Sequence, residues 1–437
     1  MRAAASRIVF LVLLALVAFA VPSVASADEV LDWNGIACRA ITTAPAPAPP
    51  LALRVLAMMQ AAVFDAHNGI ERRYASIHVA PTDTMPERGA SRRAAVVQAA
   101  FAVLSAEFPA QAAALSADRT ASLTAIGEDG VGDSMSIERG LDWGQYVADQ
   151  IRAWRAADGV FPLENSYGST EIGQWRPTPP NYAPGFGITL GQAVPFVIPT
   201  TSTFRQAGPP ALLSLQYASD VNEVQRVGAA NAPLSARTAD QTQAARFWAG
   251  TATTFWNRAA VAAAEQAGTS LSENARLFAL MNMAMIDTIF TTWESKYYYN
   301  FWRPITAIQL ADFDGNDLTI ADPNWTPLVP TPPYPEYTSG HQSISGSAAT
   351  ILAAYFGNAM AVTGWSEAFG PSVTRSFANF EAAADEALEA RIWDGIHFRT
   401  AMVDTRRCAR QVAAYVLQNA AQPLNGRHTG QLSALQD

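Results

Sequence analysis

Residues 332–345 read PPYPEYTSGHQSIS. A proline-stiffened run ends in Ser339-Gly340-His341, and helical patterning takes over at once. Ser339 can cap that helix, and Gly340 lets the backbone come close to a ligand. The unpaired N–H groups at a helix start form a ready anion site. His341 sits where the positive helix end lowers an imidazole pKa and keeps a neutral base available. Taken alone, the same three residues also describe a capped helix with an incidental histidine. The neighbouring segments have to decide.

Two other stretches carry comparable chemistry. Trp293–Pro304 reads WESKYYYNFWRP. Lys296 and Arg303 are seven residues apart, which on a helix is one face and two turns. Pro304 disfavours helix at Arg303, so the spacing predicts a helix end between the two cations. A solvated basic face is the plain alternative, and Trp293, Phe301 and Trp302 argue against it. Arg391–His397 reads RIWDGIH. Arg391 offers a guanidinium fork for an oxyanion, His397 a ring nitrogen that can attack or ligate, and Gly395 a turn that brings both inward.

The rest of the chain frames these segments. Of its 437 residues, 49% are hydrophobic and 15% charged, enough to build a large core. Arg2 and Arg7, a 14-residue apolar run from Ile8 to Val21 and Ala25-Ser26-Ala27 make residues 1–27 a signal peptide rather than a membrane anchor. The expected destination is the periplasm or the medium, without stable membrane insertion. Loss of that leader moves the formal charge from −9 to −11, which argues against nucleic acid as a partner. Cys38 and Cys408 are the only cysteines, equally readable as one disulfide or as two buried thiols.

Periodicity predicts an all-α helical bundle with a long irregular Pro/Gly-rich insert. Helices are expected over 51–68, 90–108, 134–157, 239–267, 272–300, 342–356, 375–390 and 398–418, with Ser272 near the start of the fifth. No repeat at a fixed period is evident. Residues 28–158 form an N-terminal helical region, 159–235 an irregular covering segment and 236–437 a catalytic helical bundle, with 28–437 fused as one globular unit. The aromatic content of 159–210 points to a packed loop over a functional site rather than a linker.

Lys-x6-Arg-Pro, then Ser-Gly-His, then Arg-x5-His is the signature of one superfamily. The chain resembles the vanadium-dependent haloperoxidases and the type 2 phosphatidic-acid phosphatases that share their fold. The stretches KYYYNFWRPITAI, YPEYTSGH, RIWDGIHFR, VLDWNGIA and WRPTPPNY are similar to exported bacterial haloperoxidase-type members. The resemblance implies one vanadate per chain, with hydrogen peroxide, halide and a small organic acceptor as reactants. It implies that Lys296, Arg303 and Arg391 hold the vanadate oxygens, with Ser339 and the Gly340 N–H as further donors. His397 would bind vanadium, His341 would serve as acid–base, and Trp293 and Tyr334 would stand near the halide. Vanadate would polarise peroxide as a Lewis acid so that halide leaves as hypohalous acid. A phosphatase using His397 as the phosphorylated nucleophile, and a non-catalytic phosphate binder, are the alternatives. Dimers are common among such relatives, so a homodimer is a possible state, but no interface is legible.

Departures from the family pattern raise one question. Thr338 replaces a usual proline, Ala390 a usual serine, and Ala401 an aspartate four residues after the last histidine. The last change leaves open what orients His397; Asp287 and Asp394 are the candidates. His67, His78 and His428 have no partner pattern and read as structural.

Overall fold

A computed structural model of the chain describes residues 28–129, 133–231 and 235–424. Residues 1–27, expected to be a signal peptide, and His428 lie outside them. Five helices come first: α1 Glu29–Thr42, α2 Pro49–Glu71, α3 Arg92–Glu107, α4 Ala112–Glu128 and α5 Ser134–Ala156. The covering segment follows and carries α6, Leu215–Val227. The second group is α7 Ala239–Trp248, α8 Ala252–Ala267, α9 Leu271–Tyr299, α10 Pro304–Gln309, α11 Gly340–Phe356, α12 Phe380–Trp393 and α13 Arg399–Asn419.

Local chemistry sets the boundaries. Pro49 stands in the first turn of α2, where its missing N–H costs nothing. α9 starts with a capping box in which Ser270 and Glu273 satisfy each other's backbone N–H, two residues before the expected Ser272. It ends at Asn300 in the left-handed conformation, between Lys296 and Arg303. The helix expected over 239–267 is broken at 249–251 into α7 and α8. The helix expected from residue 375 begins at Phe380, because Thr374–Phe377 pairs antiparallel with Val362–Trp365 as strands β2 and β1. Residues 159–235 are not irregular throughout, since Ser214 caps α6 within them.

Two helices of the first group, α1 and α2, correspond to α8 and α9 of the second. Arg54, Ala57, Met59, Gln60, Ala62 and Asp65 on α2 recur as Arg276, Ala279, Met281, Asn282, Ala284 and Asp287 on α9. Trp33-Asn34 on α1 recurs as Trp256-Asn257 on α8. The bonds repeat as well: Gln60 Nε2 donates to Asn34 Oδ1 at 3.0 Å and Asn282 Nδ2 to Asn257 Oδ1 at 3.1 Å. Asp65 accepts the N–H groups of Ile77, His78 and Val79, and Asp287 those of Phe196, Val197 and Ile198. The cations have no such counterpart, since Tyr74 and Pro81 stand where the α9 spacing puts Lys296 and Arg303. This two-copy relation escapes a search for short periods.

Helices α2 and α9 pack on each other, and α11 packs on α9, α12 and α13. One apolar cluster draws on both groups, including Leu53, Phe64, Phe278, Met281, Phe290 and Leu352. Among the described residues no single helix is long and apolar enough to cross a membrane. Cys38 and Cys408 are separate buried free thiols, each pushed up to about 12 by burial.

The covering segment is tied down over the end of α9. Asp287 holds residues 196–198, and Arg155 donates to the Val194 carbonyl at 2.6 Å. Trp175 N donates to Asn300 O, Trp302 N to Gly173 O and Phe186 N to Pro333 O. The Trp293 indole and the Tyr297 hydroxyl both donate to Phe186 O. A Cβ on Gly191 would lie 2.7 Å from the Glu294 backbone, so only glycine allows this approach.

Candidate active site

Three segments meet at one buried place: the C-terminal turn of α9 with Arg303 just beyond it, the 332–340 run entering α11, and the α12–α13 turn. Lys296, Arg303, Ser339, Arg391 and His397 are all buried, and Gly340 and His341 are partly exposed. The third segment turns inward at Gly395, whose φ of +80° suits glycine. A Cβ there would also meet the Gly228 carbonyl at 2.5 Å.

Arg303 lies closest to the histidine. Its Nη1 is 3.3 Å from His397 Nε2 and donates to Ile396 O at 2.8 Å, while Nε donates to Tyr334 O at 2.9 Å. Its Nη2 is buried without a partner, as is Nε of Arg391. Arg391 Nη1 donates to Asp394 Oδ2 at 2.6 Å. An unpaired buried N–H costs about 1–3 kcal/mol, so the free Arg303 Nη2, within reach of the Arg391 charge, fits a donor to an oxyanion.

Lys296, expected to hold an oxyanion, is engaged by the loop before α11. Its ammonium donates to Pro335 O at 2.8 Å, Glu336 O at 3.0 Å and Thr338 O. Burial and Arg303 press its pKa well below the ordinary lysine value. Three carbonyl acceptors nevertheless claim three N–H bonds, which only the ammonium has. Lys296 therefore clasps the loop that carries Ser339, and a bond to an oxyanion would replace one of these three.

Thr338 is explained by the same loop. Its carbonyl meets Lys296, and its hydroxyl donates to Thr292 Oγ1 at 3.2 Å. The Tyr337–Thr338 peptide is cis. Ser339 caps α11, accepting from Gln342 N, and its own N–H goes to Thr405 Oγ1 at 2.8 Å. The next residue, Gly340, is the first of the helix, at its positive end.

His341 Nε2 lies 3.3 Å from Gly250 O. Burial and the charge of Arg391 push its pKa down to about 3, so the ring is neutral near pH 7. Burial, Arg303, Lys296, Arg391 and His341 together hold His397 well below its ordinary value too. Trp293 and Tyr334 pack with ring centroids 5.0 Å apart, and Lys296 Nζ is 5.0 Å from the Tyr334 ring centre.

The acid that orients His397 is neither expected candidate. Asp287 is occupied by the backbone of 196–198, and Asp394 by Arg391. Ala401 is buried in α13. Glu336 does it: Oε1 lies 2.8 Å from His397 Nδ1 and accepts from Phe398 N at 3.0 Å. Burial lifts its carboxyl to about 7, against the pull of Arg303, Phe398 N–H and Lys296. Sequence reasoning missed Glu336 although it stands in the opening quotation. A carboxylate among prolines and aromatics was the available signal.

A family model described as "VCPO second helical-bundle domain" matches residues 276–426, which contain all three segments. The vanadium chloroperoxidase of Curvularia inaequalis is 26% identical over 412 residues, covering 77% of this chain and 66% of that protein. The chain thus spans just under two thirds of that relative's length. A solved structure described as the first bacterial vanadium-dependent iodoperoxidase superposes with a TM-score of 0.76 at 24% identity, covering 91% of this chain and 98% of that one. A holo-type bacterial vanadium-dependent chloroperoxidase gives 0.66 at 15%, covering 85% and 91%. These two likenesses are of fold.

Proposed function

We propose that the chain is a vanadate-dependent haloperoxidase of the superfamily shared with the type 2 phosphatidic-acid phosphatases, oxidising halide with hydrogen peroxide. The observation that carries the proposal is the meeting of Arg303 and His397 at 3.3 Å, with Arg303 Nη2 unpartnered and Arg391 near enough to depress the His341 pKa. Vanadate, when bound, supplies Lewis-acid activation of peroxide toward halide.

The residues divide the remaining work. Arg303 and Arg391 bind the oxyanion with fixed donors in a water-poor place, which makes each bond count for more than it would in water. Gly340 N–H and the Ser339 hydroxyl add donors at the positive helix end. His397 Nε2 faces the cage as the ligand atom. His341, neutral and beside Arg391, is free to take a proton from peroxide and return it to a leaving oxygen. Trp293 and Tyr334 form the aromatic wall that would receive halide, and the covering segment screens it from solvent. The apolar run Ile8–Val21 after Arg2 and Arg7, followed by Ala25-Ser26-Ala27, supports export to the periplasm or beyond.

The test is oxidation of a phenolic dye by the vanadate-loaded protein with peroxide and chloride, bromide or iodide. Halide-dependent turnover above that of apo-protein is expected. No turnover with any halide, together with a phosphohistidine at His397 formed from a phosphomonoester, would replace this reading by the phosphatase one.

A further inference from the structure

We propose that Glu336 is the positioning residue that fixes the tautomer of His397, and thereby favours the oxyanion that a ring nitrogen can ligate. This rests on the cage described above.

Glu336 is stitched to both of the other segments. Its backbone N–H donates to Phe301 O at 2.9 Å, between Lys296 and Arg303, and its carbonyl accepts from Lys296 at 3.0 Å. Its side chain reaches the third segment, where Oε1 accepts the Phe398 N–H at 3.0 Å and lies 2.8 Å from His397 Nδ1. Arg303 Nη1 can only donate, so its 3.3 Å approach makes His397 Nε2 the acceptor. A neutral His397 ring then carries its proton on Nδ1, with Glu336 Oε1 as the acceptor. Nε2 keeps its lone pair and points at the Arg303 side of the cage.

Only one of the two competing anions uses that lone pair. Phosphate at rest is held by charge and N–H donors. Vanadium accepts a lone pair from nitrogen as well. Removing Glu336 should separate two affinities that a merely structural role would move together.

The experiment measures orthovanadate and inorganic phosphate binding by calorimetry for the parent, Glu336→Leu and Glu336→Gln. It also records the 15N spectrum of the His397 ring without anion, assigned against His397→Gln. The parent ring is expected protonated on Nδ1. Glu336→Leu should lose about 10–100-fold in vanadate affinity while phosphate affinity holds or improves. Glu336→Gln, which keeps an acceptor, should retain the tautomer and more of the vanadate affinity. Equal losses for both anions, no loss for either, or a parent ring protonated on Nε2 would each overturn the inference alone. A parent that binds neither anion would bring down the cage reading itself. Should Glu336→Leu fail to fold, the parent spectrum and Glu336→Gln still decide.

Discussion

Glu336 and His397 are 61 residues apart in the chain, and their Oε1 and Nδ1 atoms are 2.8 Å apart. The residue that steers the histidine belongs to the same short run that caps α11 and is clasped by Lys296. One loop thus sets the positions of Ser339, His341 and His397 together.

Lys296 should matter to folding as well as to binding. Lys296→Met would leave the carbonyls of Pro335, Glu336 and Thr338 buried without that donor. A loss of about 2–4 kcal/mol is expected. Urea unfolding checks it, and oxyanion binding should fall in the same variant. A lysine that served only the anion would leave the unfolding midpoint of the anion-free protein unchanged.

Gly340 is predicted to behave in the opposite way. A Cβ there would meet Trp293 at 3.5 Å and Ile289 at 3.7 Å, ordinary contacts that the fold can take. Gly340→Ala should therefore change stability by no more than about 0.5 kcal/mol. Its methyl lies against Trp293 at the helix mouth, so halide-dependent turnover should drop. Thermal melting and steady-state rates on one preparation separate the two effects.

The covering segment depends on Asp287. Asp287→Ala removes the acceptor of three backbone N–H groups at 196–198, at a cost of about 2–5 kcal/mol. Limited proteolysis should then cut within 159–214 before the helices. An unchanged cleavage pattern would show that Arg155 and the Phe186 contacts suffice.

Legibility in the sequence followed the range of the interactions. Lys296 and Arg303 are joined by helix geometry and a proline stop, and Ser339 by a local cap, so periodicity and punctuation reveal them. The 159–210 excursion is visible because Pro, Gly and aromatics crowd it. Glu336 has no periodic partner, and its histidine lies beyond α11 and α12, so nothing local marks it. Asp287 looked like an orienting acid because it precedes Lys296 on the same helix, but its side chain faces the covering segment. The β-hairpin at 362–377 was hidden in the same way, its two four-residue strands being too short to show alternation.

His341 gives a pH signature. Its folded-state pKa is pushed down to about 3 by burial and Arg391. A bound oxyanion brings negative charge beside it and raises that value toward the ordinary histidine range. Binding then takes up a proton at every pH between the two values, so affinity should rise as pH falls across that window. His341→Ala should lose this part of the slope. Phosphate binding from pH 5 to 8, parent against variant, cancels the anion's own ionisation.

The most direct measurement is vanadium content per chain after loading with orthovanadate and removal of excess, for the parent and His397→Ala. One vanadium per parent chain is predicted, together with a large loss in the variant. A parent that retains none, or a variant that retains as much, would contradict the assignment of this cage as a vanadate site.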